Sequence, residues 1–305
     1  MHFFIYIKKF SKITVAIAEK VLVNQMKNSD IIIDISNLSY SYNSKKIYEN
    51  LNLQIKEGTI FGLLGKNGVG KSTLINILMG FLKPNSGKCL IFGEPSHNLS
   101  AQIKKDIALL YEGFITYDFM SIKEIEKYFA PFYPNWKKPV FYELINLMNL
   151  NHNQKLSTLS FGQKSQVILG LLFAQDAKLL ILDDYSMGLD AGYRRLFIDY
   201  LKDYVKETNK TVLITSHIMS DLVDLIDDIA IIQKDKEIYK NSMKNFIENF
   251  RCYKLNENEQ IDLKNVHRVE SHKNYKKIYT FENFDSLEEL QVDFEDKFLG
   301  YVGKY

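Results

Sequence analysis

The pattern of apolar and polar residues predicts a chain of alternating strands and helices. Residues 31–35 are rich in isoleucine, and residues 38–42 and 51–55 alternate apolar or aromatic with polar side chains, which is typical of strands. Two later runs have the same character: 60–64 is apolar, and 211–215 has an apolar centre flanked by two threonines. Runs of this kind predict strands of a parallel sheet that is buried on both faces. We therefore expect an α/β fold with a mixed sheet.

Helical patterns lie between these strands, mainly in a segment predicted as a helical subdomain over about 100–175. Residues 121–155 look helical and aromatic-rich, and three prolines interrupt them. Ser160 and Gln163 form the pattern of a capping box, so a helix should begin there. A further apolar run at Leu179–Leu182 predicts another buried strand.

The two ends of the chain differ from this central part, which we assign to residues 29–239. Residues 240–305 predict a small α+β appendage with a helix over 243–250, short strands near Tyr253, 266–269 and 278–281, and a last helix from Ser286 to about Leu299. Residues 1–28 carry apolar residues at helical spacing among lysines. They fit either a basic amphipathic helix at a membrane surface or a loosely attached, disordered extension.

Composition and charge indicate which classes of protein and partner are to be expected. The chain has 305 residues, 46% of them hydrophobic and 25% charged, as in an ordinary globular protein. A net charge of +2 gives no nucleic-acid footprint, so no nucleic acid is expected as a partner. Cys89 and Cys252 match no metal spacing and indicate a reducing compartment. No run of 18 apolar residues occurs, so any membrane role is expected to come through a partner.

The strongest chemical signal is a glycine-rich loop between a predicted strand and a predicted helix. Gly65, Gly68 and Gly70 permit backbone conformations that point successive N–H groups at a polyphosphate on the helix N-terminus. Lys71 can then reach the β- and γ-phosphates, and Ser72 can ligate Mg²⁺. This arrangement predicts a nucleoside triphosphate site.

Polar residues end two of the buried strands. Asp183 and Asp184 follow the run that ends at Leu182, where an open α/β sheet binds its ligands. One carboxylate can hold Mg²⁺ and the other can orient or deprotonate a water molecule. His217 follows the 211–215 run and can reach a γ-phosphate, although a lone histidine is more often structural.

With these motifs in order, residues 31–239 resemble the nucleotide-binding subunit of an ATP-binding cassette (ABC) transporter. Residues 65–72 match its Walker A loop, 159–163 its signature motif, 179–184 its Walker B motif, 186–190 its D-loop and His217 its switch histidine. The resemblance implies a P-loop NTPase cassette that takes ATP and Mg²⁺. The implied nucleotide-binding residues are Tyr42, Gly65, Asn67, Gly68, Gly70, Lys71, Ser72, Thr73, Ser160, Gly162 and Gln163.

The resemblance also assigns the chemistry. Asp184, His217 and Glu112 would be catalytic, and Ser72, Asp183 and Glu112 would face the metal. Tyr42 would stack on the purine as the aromatic A-loop residue. On the pattern alone, Tyr40 and Tyr48 are alternatives for that ring.

Partners follow from the resemblance as well. In the family, two cassettes face each other head to tail, and the signature helix of one covers the γ-phosphate held by the other. A second cassette, identical or different, and a transmembrane permease subunit are therefore expected, with the chain at the cytoplasmic face of the membrane. The short appendage and residues 132–136 look like those of drug, bacteriocin and peptide exporters, which favours export over import.

Three departures from the family pattern bear on activity. Phe161 replaces the first glycine of the usual signature, and Glu112 stands where the family has a glutamine. Asp184 replaces the catalytic glutamate, and its carboxylate is one methylene shorter. A displacement of about 1 Å can cost on the order of 10²-fold in rate, so we expect slow hydrolysis with ATP binding intact. The alternatives are a cassette of low or no activity that gates a competent partner, an importer cassette, and a soluble ATP-gated regulator.

Overall fold

The computed structural model describes residues 30–111, 117–186, 189–216, 220–234, 236–256 and 259–303. The amphipathic pattern predicted within residues 1–28, and the residues Glu112 and His217, lie outside these ranges. No helix in the described ranges has the length and apolar character needed to cross a membrane.

Three sheets organise the described chain. A central six-stranded sheet has the order β10-β9-β3-β8-β7-β6, and a four-stranded antiparallel sheet has the order β2-β1-β4-β5. The central strands are β3 (Ile60–Gly65), β6 (Ile107–Leu110), β7 (Leu179–Leu182), β8 (Thr211–Ile214), β9 (Asp228–Ile232) and β10 (Tyr239–Ser242). All are parallel except β10, which pairs antiparallel with β9.

The antiparallel sheet covers one face of the central sheet. It contains β1 (Ile31–Tyr42), β2 (Lys45–Lys56), β4 (Ser86–Ile91) and β5 (Glu94–Pro95). The helix α1 (Lys71–Leu78) follows β3 and buries Leu74, Ile75 and Ile77 between the two sheets. Burial of these side chains holds the start of α1, and therefore the glycine-rich loop, against rigid strands.

Helices cover the other face and extend from it. They are α3 (Ile122–Phe129), α4 (Lys138–Leu147), α5 (Phe161–Ala174) and α6 (Ala191–Thr208), whereas the short α2 (Ala101–Lys105) packs Ile103 on the core between the two sheets. The capping box predicted at Ser160 is confirmed, and α5 begins at the next residue. Within the segment 100–175, predicted as helical, the structure differs at Ile107–Leu110, because these residues form an edge strand of the central sheet.

The carboxyl-terminal part contains α7 (Met243–Asn249), β11 (Arg251–Asn256), β12 (Arg268–Ser271), β13 (Tyr275–Thr280), β14 (Glu288–Glu289) and α8 (Phe294–Val302). The four strands form a separate sheet, β12-β13-β11-β14. Phe246, Phe250 and Tyr301 nevertheless belong to the same hydrophobic core as strands β3 and β9 of the central sheet. The appendage thus shares a hydrophobic core with the cassette and is not joined to it by the chain alone.

The predicted start of the last helix at Ser286 is wrong. Glu288 and Glu289 pair with β11 instead, and the Leu290 N–H donates to the Cys252 carbonyl at 2.8 Å. The helix begins at Phe294, because Asp293 caps it by accepting a hydrogen bond from the Asp296 N–H at 2.8 Å. The helical pattern of the sequence does not show that residues ahead of Phe294 pair with a strand instead.

Candidate functional site

A cavity of about 480 Å³ lies where β3, β7 and β8 end and α1 begins. It brings together most of the predicted site residues, which come from three separate stretches of sequence: Tyr42, residues 67–73 and residues 183–184. The lining residues are Tyr42, Lys45, Ile47, Asn67, Gly68, Gly70, Lys71, Ser72, Thr73, Asp183, Asp184, Thr215 and Ser216. Gly65 does not line it, but its carbonyl oxygen is a partner of Lys71.

The glycine-rich loop wraps the start of α1 in conformations that favour glycine. Gly68 has φ +76°, and a Cβ added there would meet nothing within 4 Å. Gly70 has φ +117°, and a Cβ there would lie 2.7 Å from Ile47 Cγ2 and 2.9 Å from the Tyr48 hydroxyl oxygen. That hydroxyl donates to the Gly70 carbonyl at 2.7 Å. Tyr48 of strand β2 therefore holds the loop in place through this hydrogen bond. The sequence pattern did not reveal this role.

The Lys71 ammonium lies across this loop. Its Nζ donates to the Gly65 carbonyl at 2.7 Å and to the Lys66 carbonyl at 3.1 Å. No acidic residue occupies the first turn of α1, so nothing there neutralises the partial positive charge of the helix N-terminus. Positive charge from the ammonium and the helix terminus thus converges on one end of the cavity, as a polyphosphate requires.

Negative charge lies at the carboxyl end of β7. Asp183 is 2% exposed, and its Oδ1 accepts a hydrogen bond from Thr215 Oγ1 at 2.7 Å. Its Oδ2 is buried and has no hydrogen-bond partner among the described residues. A buried carboxylate oxygen in this state is costly unless a cation pairs with it. The residues present therefore fit Mg²⁺, with Asp183 as one oxygen ligand and Ser72 lining the same cavity.

The metal would not be held by protein carboxylates alone. Across the described ranges, no group of three His, Cys, Asp or Glu side chains is placed to hold a metal ion. A cation at Asp183 would need oxygen ligands from a bound nucleotide or water to complete its shell. This is the usual mode of Mg²⁺ binding, in which one or two protein groups act together with substrate phosphates.

Asp184 is held differently from its neighbour. Its backbone is in the left-handed region, with φ +47°, and its N–H donates to Thr215 Oγ1 at 2.9 Å. The carboxylate Oδ1 accepts from Ser186 Oγ at 3.2 Å. Thr215 therefore fixes both aspartates at once. Thr215 was not predicted as a site residue, although a polar residue at the end of a buried strand was a usable signal.

The aromatic candidates for base stacking are now distinguished. Tyr40 and Tyr48 are buried, at 7% and 5% exposure, whereas Tyr42 is 43% exposed and lines the cavity. The Tyr42 ring meets Tyr40 edge-on, with 5.0 Å between ring centroids. Tyr42 is thus the only one of the three with a face available to a purine, and its role in binding stays a prediction.

The signature residues are not at this cavity. Ser160 Oγ accepts from the Gln163 N–H at 3.2 Å, and Gln163 Oε1 accepts from the Ser160 N–H at 2.9 Å. Phe161 adopts the helical conformation as the first residue of α5 and is 47% exposed. Ser160, Gly162 and Gln163 do not line the cavity beside the glycine-rich loop of the same chain, and their contact with nucleotide stays a prediction.

Gly162 is required by packing against α6. A Cβ at this position would lie 2.5 Å from Tyr193 Cδ2, and Gln166 Nε2 donates to the Tyr193 carbonyl at 3.1 Å on the same contact. We expect Gly162→Ala to lower the free energy of unfolding by about 1–3 kcal/mol through overpacking. In a Tyr193→Ala background, Gly162→Ala should instead be neutral or stabilising, because the ring is gone. Urea unfolding of the four chains measures this, and equal effects in both backgrounds would contradict the contact.

Comparisons with known proteins agree with this geometry. A family model described as "ABC transporter" matches residues 48–186. The uncharacterized ABC transporter ATP-binding protein YhcH of Bacillus subtilis is 31% identical over 215 residues, which cover 70% of each chain. The bacitracin transport ATP-binding protein BcrA of Bacillus licheniformis is 32% identical over 207 residues, covering 67% of this chain and 68% of that protein.

Relatives named for opposite directions of transport also match. The Nod factor export ATP-binding protein I of Rhizobium johnstonii is 30% identical and covers 69% of each chain. A probable sulfate/thiosulfate import ATP-binding protein, CysA of Chlorella vulgaris, is 29% identical, covering 67% of this chain and 88% of that protein.

The fold is confirmed by solved structures. CbiO1 of Clostridium perfringens, described as part of an ABC transporter complex, superposes with a TM-score of 0.60 at 24% identity. The match covers 72% of this chain and 91% of that one. The predicted α/β P-loop cassette is therefore the observed fold. Because it matches the family model and these relatives and carries the glycine-rich loop, the chain belongs to the ATP-binding proteins of ABC transporters.

Proposed function

We propose that this chain binds Mg-ATP in the cavity beside the glycine-rich loop and hydrolyses it to power export through a separate transmembrane subunit. The observation that carries the proposal is the buried Asp183 Oδ2, which has no hydrogen-bond partner in the described part of the chain and lies in the same cavity as Lys71. Together they offer a cation-binding oxygen and an ammonium, the two charges that a magnesium-bound triphosphate needs. The cassette over 29–239 would carry this chemistry, and 240–305 would be its appendage.

Each predicted residue has a distinct part in this reaction. Lys71 and the loop N–H groups would bind the phosphates, Ser72 and Asp183 would hold Mg²⁺, and Tyr42 would stack on the base. Bound Mg²⁺ would neutralise phosphate charge. Asp184 would orient or deprotonate the attacking water. Glu112 and His217 keep their predicted roles toward the metal and the γ-phosphate.

A second cassette would complete the site. Ser160, Gly162 and Gln163 lie apart from the cavity of their own chain, so their contact with the γ-phosphate would come from a partner cassette, identical or different. The chain would then act at the cytoplasmic face of the membrane, bound to a permease subunit. Export is favoured by the short appendage and by residues 132–136, and the Nod factor export relative supports it. The import relative keeps an importer cassette as the alternative.

Asp184 decides between a slow enzyme and a gating subunit. We expect Asp184→Asn to lose turnover by about 10²-fold or more while ATP affinity is kept, because asparagine fits the left-handed backbone but cannot accept the proton of water. Phosphate release and ATP affinity, measured with and without the membrane partner, check this. If Asp184→Asn hydrolyses ATP as fast as the parent, Asp184 is not the base, and the gating alternative gains support.

A further inference from the structure

The segments that follow β7 and β8 are joined beyond Thr215. Ser186 Oγ and Ser216 Oγ lie 3.2 Å apart in the interior. A second link runs through Arg194, in the first turn of α6. Its Nε donates to Asp221 Oδ2 at 2.8 Å, and its Nη1 donates to the Leu189 carbonyl at 3.3 Å. One guanidinium thus bridges the loop that follows Asp184 and the segment that follows β8.

The burial of this ion pair distinguishes it from an ordinary surface contact. The side chains of Arg194 and Asp221 are 22% and 24% exposed. Partial burial reduces screening by salt, and the planar guanidinium can hold two acceptors at fixed angles. A lysine could reach one of these acceptors but not both in the same geometry.

The next residue provides a matched comparison. Arg195 Nε pairs with Asp199 Oδ2 at 2.9 Å, so the chemistry and the distance are alike. These side chains are 79% and 52% exposed, and both belong to α6. This pair joins nothing outside its own helix, and exposed pairs of this kind contribute little to stability.

Asp221 also lies near the residue that follows Asp184. Tyr185 is buried and packs on Phe197, with ring centroids 4.8 Å apart. The negative charge of the Asp221 carboxylate acts on the Tyr185 phenol. Without the Arg194 charge, the half-buried Asp221 carboxylate would lose this ion pair beside the Tyr185 phenol. We therefore expect the segment that contains Asp221 to shift.

We propose that Arg194 is a positioning residue, which fixes the segment after β8 relative to Asp184 through its contacts with Asp221 and Leu189. Arg194 would therefore hold the loop that follows Asp184, the residue predicted to act on the attacking water. This inference rests on the proposed hydrolysis, and it concerns turnover rather than nucleotide affinity.

The test measures steady-state ATP hydrolysis by the whole chain in the presence of its membrane partner. Six forms of the chain are compared: the parent, Arg194→Ala, Arg195→Ala, Asp221→Ala, the Arg194→Ala/Asp221→Ala double variant and Arg194→Lys. We expect Arg194→Ala to lower kcat by about 10- to 100-fold, because displacements of about 1 Å have effects of this size. KM and the ATP dissociation constant should stay within about twofold, and Arg195→Ala should match the parent. The double variant should lose no more than Arg194→Ala alone, and Arg194→Lys should recover part of kcat.

Hydrogen exchange separates positioning from general destabilisation. Arg194→Ala should speed amide exchange in peptides over 183–190 and 216–222, while β3 and β9 exchange as in the parent. The inference is overturned if Arg194→Ala keeps parental kcat, if KM rises in proportion to the fall in kcat, or if exchange rises throughout the chain. Lys71→Ala serves as the reference for the proposed function. Parental hydrolysis that is lost in Lys71→Ala but kept in Arg194→Ala refutes this inference alone, whereas a parent without Lys71-dependent hydrolysis refutes both.

Discussion

Asp183→Asn is expected to raise the melting temperature of the nucleotide-free chain and to abolish the stabilisation that Mg-ATP gives the parent. In the free chain, Asp183 Oδ2 is a buried carboxylate oxygen without a hydrogen-bond partner among the described residues. Replacing the charge with a neutral amide removes a desolvation cost, which we put at about 1 kcal/mol or more. The same change removes an anionic ligand of Mg²⁺, and we expect Mg²⁺ affinity in the ATP complex to fall by at least about 100-fold.

The prediction is specific because the same substitution should raise the melting temperature of the nucleotide-free chain and remove the further rise that Mg-ATP causes. Thermal unfolding with and without Mg-ATP measures both, and the melting temperature with ATP and EDTA separates the metal from the nucleotide. Asp184→Asn is the matched control, because it removes a carboxylate one residue away whose Oδ1 is already hydrogen-bonded to Ser186. It should keep the Mg-ATP stabilisation. An Asp183→Asn chain that Mg-ATP stabilises as much as the parent would show that the metal lies elsewhere.

Lys71→Ala is expected to have the largest effect on activity. The ammonium already spans the loop between the Gly65 and Lys66 carbonyls, so little reorganisation is needed for it to meet a phosphate. A hydrogen bond to a charged group contributes about 1.5–3 kcal/mol, which corresponds to about 10- to 150-fold in ATP affinity. Loss of charge stabilisation in the transition state should lower hydrolysis by a further factor of about 10²–10³.

Lys45 offers the control for this change. It lines the same cavity but is an exposed residue of β2. We expect Lys45→Ala to change ATP affinity by less than about threefold, because an exposed charge is screened by solvent. Phosphate release by the parent, Lys71→Ala and Lys45→Ala measures both effects. Equal losses in the two variants would indicate that only the overall charge of the cavity matters.

The sequence was most informative where one residue type suits only one conformation. The loop around Gly68 and Gly70 and the buried run Leu179–Leu182 were predicted correctly, because glycines at positive φ and continuous apolar strands have few alternatives. The capping box at Ser160 was found for the same reason, since its two hydrogen bonds are local.

Features made by distant residues were not predictable in this way. The hydrogen bond from Tyr48 to Gly70, the bridge from Thr215 to both aspartates and the contact of Arg194 with Asp221 all join separate elements. Each depends on strand order, which no local pattern encodes. The last helix was misplaced for a related reason, because pairing of Glu288 and Glu289 with β11 overrode their local helical preference.

The family resemblance already implied that the two halves of the predicted nucleotide site lie apart within one chain, and the structure agrees with this expectation. The glycine-rich loop and the Asp183–Asp184 pair share one cavity, whereas Ser160, Gly162 and Gln163 lie outside it. This arrangement agrees with the proposal that a second cassette completes the site, and on that proposal one chain alone is expected to hydrolyse ATP slowly.

Isothermal titration of Mg-ATP into the parent chain and into Lys71→Ala tests the central claim most directly. We predict one ATP bound per parent chain, and a loss of affinity of about 10-fold or more when Lys71 is replaced. Binding of unchanged affinity in Lys71→Ala, or no binding to the parent, would contradict the claim that this loop holds the triphosphate.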